Sequence, residues 1–84
     1  MARTTQPQLP AFTCELDVRG LGCPLPALRA RIALRRMKTG EVLRVVATDP
    51  GARRDFELFA RMTGHELVAQ TASRRESVFY LRRA

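Results

Sequence analysis

From Phe12 to Val18 apolar and polar positions alternate. Phe12, Cys14, Leu16 and Val18 are interleaved with Thr13, Glu15 and Asp17, the period of a half-buried strand. From Pro24 to Met37 the period lengthens to that of a helix. Ala27, Ala30, Leu34 and Met37 form one apolar stripe, assigned to a sheet. Leu25, Leu28 and Ile32 lie on nearly the opposite side among Arg29, Arg35 and Arg36. The alternatives are that the second stripe faces the sheet, or that the helix rotates to share both. Gly40 ends this helix, with Lys38 in its last turn. Val42 to Ala47 is valine-rich and reads as a second strand. A helical connection makes it parallel to the first, with a right-handed crossover. Asp49-Pro50 opens a second helix that stops before Gly64, with Phe56, Phe59, Ala60 and Thr63 as its buried face. Glu66 to Ala72 and Ser77 to Arg82 are strands on either side of a polar turn, with Phe79 and Leu81 inward. The order βαβαββ predicts an α+β fold: a two-layer α/β sandwich, with a four-stranded mixed sheet and two helices on one face.

Residues 1–11 carry Pro7 and Pro10 and no periodicity, so a flexible tail is expected there and a single domain over 12–84. A chain of 84 residues buries only about 60% of its unfolded surface, enough for one core. Two cysteines and no signal-like start fit a reducing compartment, so the cytoplasm is expected. No stretch approaches the roughly 18 apolar residues of a membrane span. Fifteen Lys+Arg against eight Asp+Glu give a net charge of +7, and all but Lys38 of the fifteen are arginine. A basic surface suits nucleic acid, an acidic protein or an anionic substrate, or is only a solvated face; charge alone does not choose.

The chemistry concentrates between Leu16 and Pro26. The alternating strand runs through Gly20 and Gly22, which allow a sharp reversal, into Cys23 and Pro24. Pro24 suits the first helical position, where its missing N–H costs nothing. Cys23 is then the N-cap, facing unpaired N–H groups and the positive end of the helix dipole, an environment that favours a thiolate. Its thiol is therefore expected to titrate below the value of about 8.5 of a free cysteine. Such a thiolate can attack a sulfane sulfur and hold it as a persulfide. The competing reading is a buried structural cysteine. Cys14 shares parity with Leu16 and Val18 and is assigned to the core, about 13 Å from Val18 along the strand. That is too far for a disulfide, and no Cys-x-x-Cys pair exists. Two cysteines and one histidine do not make a zinc site, and no metal or cofactor is expected. His65 reads as a strand-edge hydrogen-bonding residue or, less simply, as a base for Cys23.

Cys23-Pro24-Leu25-Pro26, preceded by Leu16-Asp17 and Gly20, resembles the Cys-Pro-x-Pro signature of the TusA/SirA-like sulfur-carrier family. The resemblance continues through Gly40-Glu41, Asp49-Pro50, Asp55 and Gly64-His65-Glu66-Leu67, so it runs from about Leu16 to Arg83. It implies the same fold and a carrier that accepts sulfane sulfur as a persulfide on Cys23. The donor it implies is a cysteine desulfurase or a rhodanese-like sulfurtransferase. The acceptor it implies is a further relay protein feeding tRNA thiolation, a thio-cofactor route or sulfur oxidation. Arg31 aligns with a position usually basic in the family, whereas Ala60 lies in a stretch that is often cysteine there.

Gly22, Pro24 and Pro26 are expected to shape the site, with Arg19, Arg29 and Arg31 supporting the sulfur anion or meeting an acidic partner. Asp49 reads as a helix cap and Asp55 as a favourable charge early in the second helix. Leu25, Leu28 and Ile32 would form an exposed strip for docking partner proteins. A monomer is expected, with neither direct nucleic-acid binding nor membrane association. The rival is a basic module that docks a protein or RNA, with Cys23 only capping a helix. RNA would need exposed aromatics on an open sheet, and with Phe12, Phe56, Phe59 and Phe79 assigned to the core only Tyr80 is left.

Overall fold

The computed structural model describes residues 9–84, so residues 1–8 of the expected tail lie outside the described residues. Six elements follow in the order β1 (Cys14–Val18), α1 (Leu25–Arg35), β2 (Val42–Ala47), α2 (Ala52–Thr63), β3 (Glu66–Ala72) and β4 (Ser77–Arg82). They form one sheet in the order β1-β2-β4-β3. The helix-linked pair β1 and β2 is parallel, and β4 runs antiparallel to both β2 and β3. This is the expected βαβαββ sandwich.

Burial explains why β2 is almost wholly apolar. It sits inside the sheet, so Leu43, Val45 and Ala47 are buried beneath the helices while Val42 and Val46 are buried on the other face. The edge strands β1 and β3 are mostly exposed or half-buried. Helix α1 turns its first stripe inward. Ala30 and Leu34 are fully buried and Met37 nearly so, whereas Leu25, Leu28 and Ile32 are 42%, 47% and 52% exposed. The centre of the core is Phe56 of α2 against Phe79 of β4, their ring centroids 4.7 Å apart. Of the four residues expected on the buried face of α2, Thr63 is exposed, and its hydroxyl donates to the Phe59 carbonyl at 2.7 Å. Gly64 closes this helix at φ 83°, a left-handed conformation that glycine adopts without penalty, and its N–H bonds the Ala60 carbonyl.

Three expectations need correction. Both helices begin later than the prolines suggest. Pro24 occupies the cap position of α1, leaving Cys23 one residue outside the helix. In α2 the cap is Gly51, because Asp49 Oδ2 accepts the Gly51 N–H at 3.0 Å and holds Pro50-Gly51 in a preceding turn. Cys14 is exposed rather than in the core. It begins an edge strand whose burial increases only towards Val18. Phe12 is 47% exposed and lies against Tyr80 on the face away from the helices. The chain joins the sheet only at Thr13, whose N–H bonds the Val42 carbonyl.

Candidate functional site

The β1–α1 loop is tied down at both ends. Leu21 N–H donates to the Val18 carbonyl at 3.2 Å, and Gly20 N–H donates to Thr48 Oγ1 at 2.9 Å, just beyond β2. Gly20 has φ 83°, the reversal that the sequence expects of it. Leu25 N–H then bonds the Gly22 carbonyl at 2.9 Å, and Leu28 N–H the Pro24 carbonyl at 3.2 Å. Pro26 is buried under the first turn of α1. Gly22, Pro24 and Pro26 thus build the turn that presents Cys23. It stands at the end of the sheet where parallel β1 and β2 both finish. Its side chain is exposed, and it lines a hollow with Pro50, Gly51, Arg53, Arg54, Asp55 and Glu57.

The electrostatics there reverse the expectation from the helix end. The Cys23 thiol is pushed above its ordinary value, first by attraction of its proton to the Asp55 carboxylate, then by desolvation and by the charges of Asp55 and Asp49. The attraction falls short of a formed hydrogen bond, since Asp55 Oδ2 is closed to solvent and has no partner at bonding distance. The helix end offers little against this. Cys23 is outside the cap, Pro24 and Pro26 have no N–H, and the Leu25 N–H is already used by Gly22. Sequence reasoning read Asp55 only as a helix charge. Nothing local signals its second environment, which arises because α2 packs beside the β1–α1 loop.

The other candidate residues divide. Arg19 turns away from the sulfur: its Nη2 meets Asp17 at 2.9 Å and its Nη1 meets Glu76 at 3.4 Å. That pairing holds the exposed Asp17 carboxyl at about 2. Arg29 and Arg31 are exposed and make no ion pair among the described residues. Arg31 helps to line an apolar groove of about 260 Å³ between α1 and α2, with Pro24, Leu28, Leu58 and Met62. Leu58 and Met62 are 50% and 76% exposed. The strip of Leu25, Leu28 and Ile32 therefore has a counterpart on α2, and Pro24 and Asp55 connect the groove to the surroundings of Cys23.

His65 is at the other end of the sheet. It precedes Glu66, which pairs with Arg82 at the far end of β4 from Ser77. Its Nδ1 accepts the Ala84 N–H at 3.0 Å, and its ring lies 5.9 Å from that of Phe59. It is a strand-edge hydrogen-bonding residue and not a base for Cys23. Among the described residues no three His, Cys, Asp or Glu side chains gather as a metal site, and no helix is long and apolar enough to cross a membrane.

Comparison with known proteins bears on the family and the fold. A family model described as "Sulfurtransferase TusA" matches residues 14–83. The sulfur carrier protein TusA of Allochromatium vinosum is 56% identical over 57 residues, 68% of this chain and 75% of that protein. The sulfur carrier protein TusA of Pseudomonas syringae is 41% identical over 69 residues, 82% of each chain. The crystal structure of a SirA-like protein from Desulfitobacterium hafniense superposes with a TM-score of 0.68 at 20% identity, covering 83% of this chain and 96% of that one. The last likeness is one of fold.

Proposed function

The chain belongs to the TusA sulfurtransferase family, and on that premise we propose that Cys23 is the residue on which it carries sulfur. It is a sulfur carrier, which requires both a donor and an acceptor protein. Its carrier domain is residues 12–84. The Cys23 sulfur attacks the outer sulfur of a donor persulfide. One S–S bond forms, the donor's own S–S bond breaks, and the thiol proton passes to the departing donor sulfur. Transfer to the acceptor repeats the exchange with Cys23 as the leaving group, so no oxidant is needed. What supports this reading above all is the isolation of an exposed thiol. Cys23 projects from the loop at one end of β1 while Cys14, the other cysteine, begins that strand at its far end. A second thiol within reach would discharge the persulfide before a partner arrived.

The donor class is a cysteine desulfurase or a rhodanese-like sulfurtransferase, and the acceptor is a relay protein of tRNA thiolation, thio-cofactor synthesis or sulfur oxidation in the cytoplasm. Docking uses Leu25, Leu28 and Ile32 with the groove beside them, and Arg29 and Arg31 contribute charge. For the RNA reading, Tyr80 is only 3% exposed, and Phe12, 47% exposed on the same open face, already packs against Tyr80 and the Arg44 guanidinium. Intact mass after incubation with a persulfide donor tests the assignment. One added sulfur is expected on the wild type and on Cys14→Ala, and none on Cys23→Ser. Sulfur recovered on Cys14 would overturn it.

A further inference from the structure

Asp55 is left without a task by the fold. It is the fourth residue of α2, half-buried, and its Oδ2 is shut off from solvent with no hydrogen-bond partner. A carboxylate oxygen in that condition is destabilising and calls for a reason. Its hollow is shared by the Arg53 and Arg54 guanidiniums, neither at bonding distance of Oδ2, and by the Cys23 thiol. The neighbouring charges leave Asp55 free to act on it. On the β2–α2 loop, Asp49 adds negative charge, with Oδ2 bonded to the Gly51 N–H. On α2, Glu57 is held by Arg53 at 3.3 Å and by Gln70 at 3.4 Å, and Arg54 is exposed without an ion pair among the described residues. From α1, Arg31 lines the same groove as Asp55 without an ion pair to it. From the β1–α1 loop, Arg19 is committed to Asp17 and Glu76.

Building on the persulfide reading, we propose that Asp55 is a positioning residue that keeps the Cys23 sulfur protonated, as thiol in the empty carrier and as persulfide in the loaded one. The upward shift of the thiol has Asp55 as its first cause and agrees with this. The consequence differs between the two states. A protonated thiol is a poor nucleophile, so the empty carrier is slow towards bystander electrophiles. A persulfide is the reverse case. Its outer sulfur accepts an attacking nucleophile as –S–SH, whereas the –S–S⁻ anion repels one. A carboxylate that disfavours the anion therefore makes the loaded sulfur easier to hand on. In the transfer, the acceptor thiolate bonds to the outer sulfur and the bond from Cys23 Sγ to that sulfur breaks. Sγ leaves with the electron pair and takes a proton from water in the open hollow, while the original persulfide proton stays with the transferred sulfur. No net oxidation occurs.

Asp55→Asn, made with Cys14→Ser, tests this with two uncharged probes, so that loss of a negative charge does not itself change probe attraction. Iodoacetamide measures alkylation of the empty carrier against pH. A neutral water-soluble phosphine measures removal of the outer sulfur from the loaded carrier as phosphine sulfide, leaving the thiol. Both inflections should move to lower pH in Asp55→Asn. At neutral pH, alkylation should then quicken several-fold and sulfur removal slow several-fold, and Asp55→Glu should return both towards the parent. A site merely loosened by the substitution would quicken both, and a site made less accessible would slow both. Either same-direction result, or unchanged profiles, overturns the proposal. A parent protein that takes up no sulfur on Cys23 overturns the carrier reading and this one with it, and that control is read first.

Discussion

On the sheet face away from the helices, Arg44 Nε donates a hydrogen bond to the Tyr80 hydroxyl at 3.2 Å. The guanidinium carbon lies 5.6 Å from the centroid of the Phe12 ring and 6.0 Å from that of Tyr80, and Nη1 pairs with Glu15. These residues cover a face that has no second layer, which is how Tyr80 comes to be buried there. An arginine in the middle of an otherwise apolar strand is explained by this role. Its stem packs and its planar head spans two rings and two acceptors.

Arg44→Ala should therefore cost about 1–2 kcal/mol, combining a hydrogen bond to a charged donor with cation–π contact, reduced for partial exposure. Arg44→Lys should recover little of that, because an ammonium cannot reach both acceptors from between two rings. Arg35→Ala, on the exposed side of α1, should stay within about 0.5 kcal/mol. Urea unfolding midpoints measure all three. Equal losses for Arg44 and Arg35 would show that the sheet face gains nothing from the arrangement.

His65 gives the fold a pH dependence whose sign is fixed. Burial first, and the Arg83 charge second, hold its pKa below the ordinary 6.5. The neutral ring is the form that accepts the Ala84 N–H. A group whose folded pKa is depressed stabilises above its unfolded pKa and loses that contribution as pH falls through the folded value. The urea midpoint should thus decline as pH falls below the ordinary 6.5 of the unfolded ring. His65→Gln keeps an acceptor without titrating and should flatten the decline. A slope unchanged by that substitution would assign it to other groups.

The fold was legible because its periods are clean. The valine-rich β2, the Ala30–Leu34–Met37 stripe and the inward pair Phe79 and Leu81 each bury the side that the pattern indicates. What the pattern cannot convey is position within the sheet. Cys14 and Phe12 continue the alternation of Leu16 and Val18, yet they lie at and beyond the start of an edge strand, where parity no longer implies burial. Cys14→Ser should accordingly change stability by less than about 0.5 kcal/mol. The site divides in the same way. Gly20, Gly22, Cys23 and the two prolines are contiguous, and their turn could be read directly. Asp55 lies 32 positions after Cys23 in the chain, and only the packing of α2 brings the two to one hollow.

If charge steers docking, Arg29 and Arg31 are the arginines to test, since both are exposed on α1 and make no ion pair among the described residues. Replacing both by Glu should slow association with the sulfur donor and flatten its dependence on salt. Stopped-flow association rates at several ionic strengths measure this. An on-rate that is independent of salt in the parent protein would reduce the +7 charge to a matter of solubility.

The two stripes of α1 allow the sharpest separation of stability from transfer. Leu34 is fully buried and Leu28 is 47% exposed, six residues apart on one helix. Leu34→Ala removes core contacts and should cost about 2–5 kcal/mol. Leu28→Ser removes none of the core and should change unfolding by less than about 0.5 kcal/mol. Its cost should fall instead on the encounter with a partner, because Leu28 lines the groove with Leu58 and Met62 beside the thiol. Sulfur uptake from a small-molecule persulfide should then be normal, and uptake from a protein donor should be several-fold slower. Leu58→Ser should reproduce that pattern from the α2 side of the same groove. A Leu28→Ser protein that loses several kcal/mol on unfolding would place Leu28 in the core. One that loads equally well from small and protein donors would remove the strip from docking.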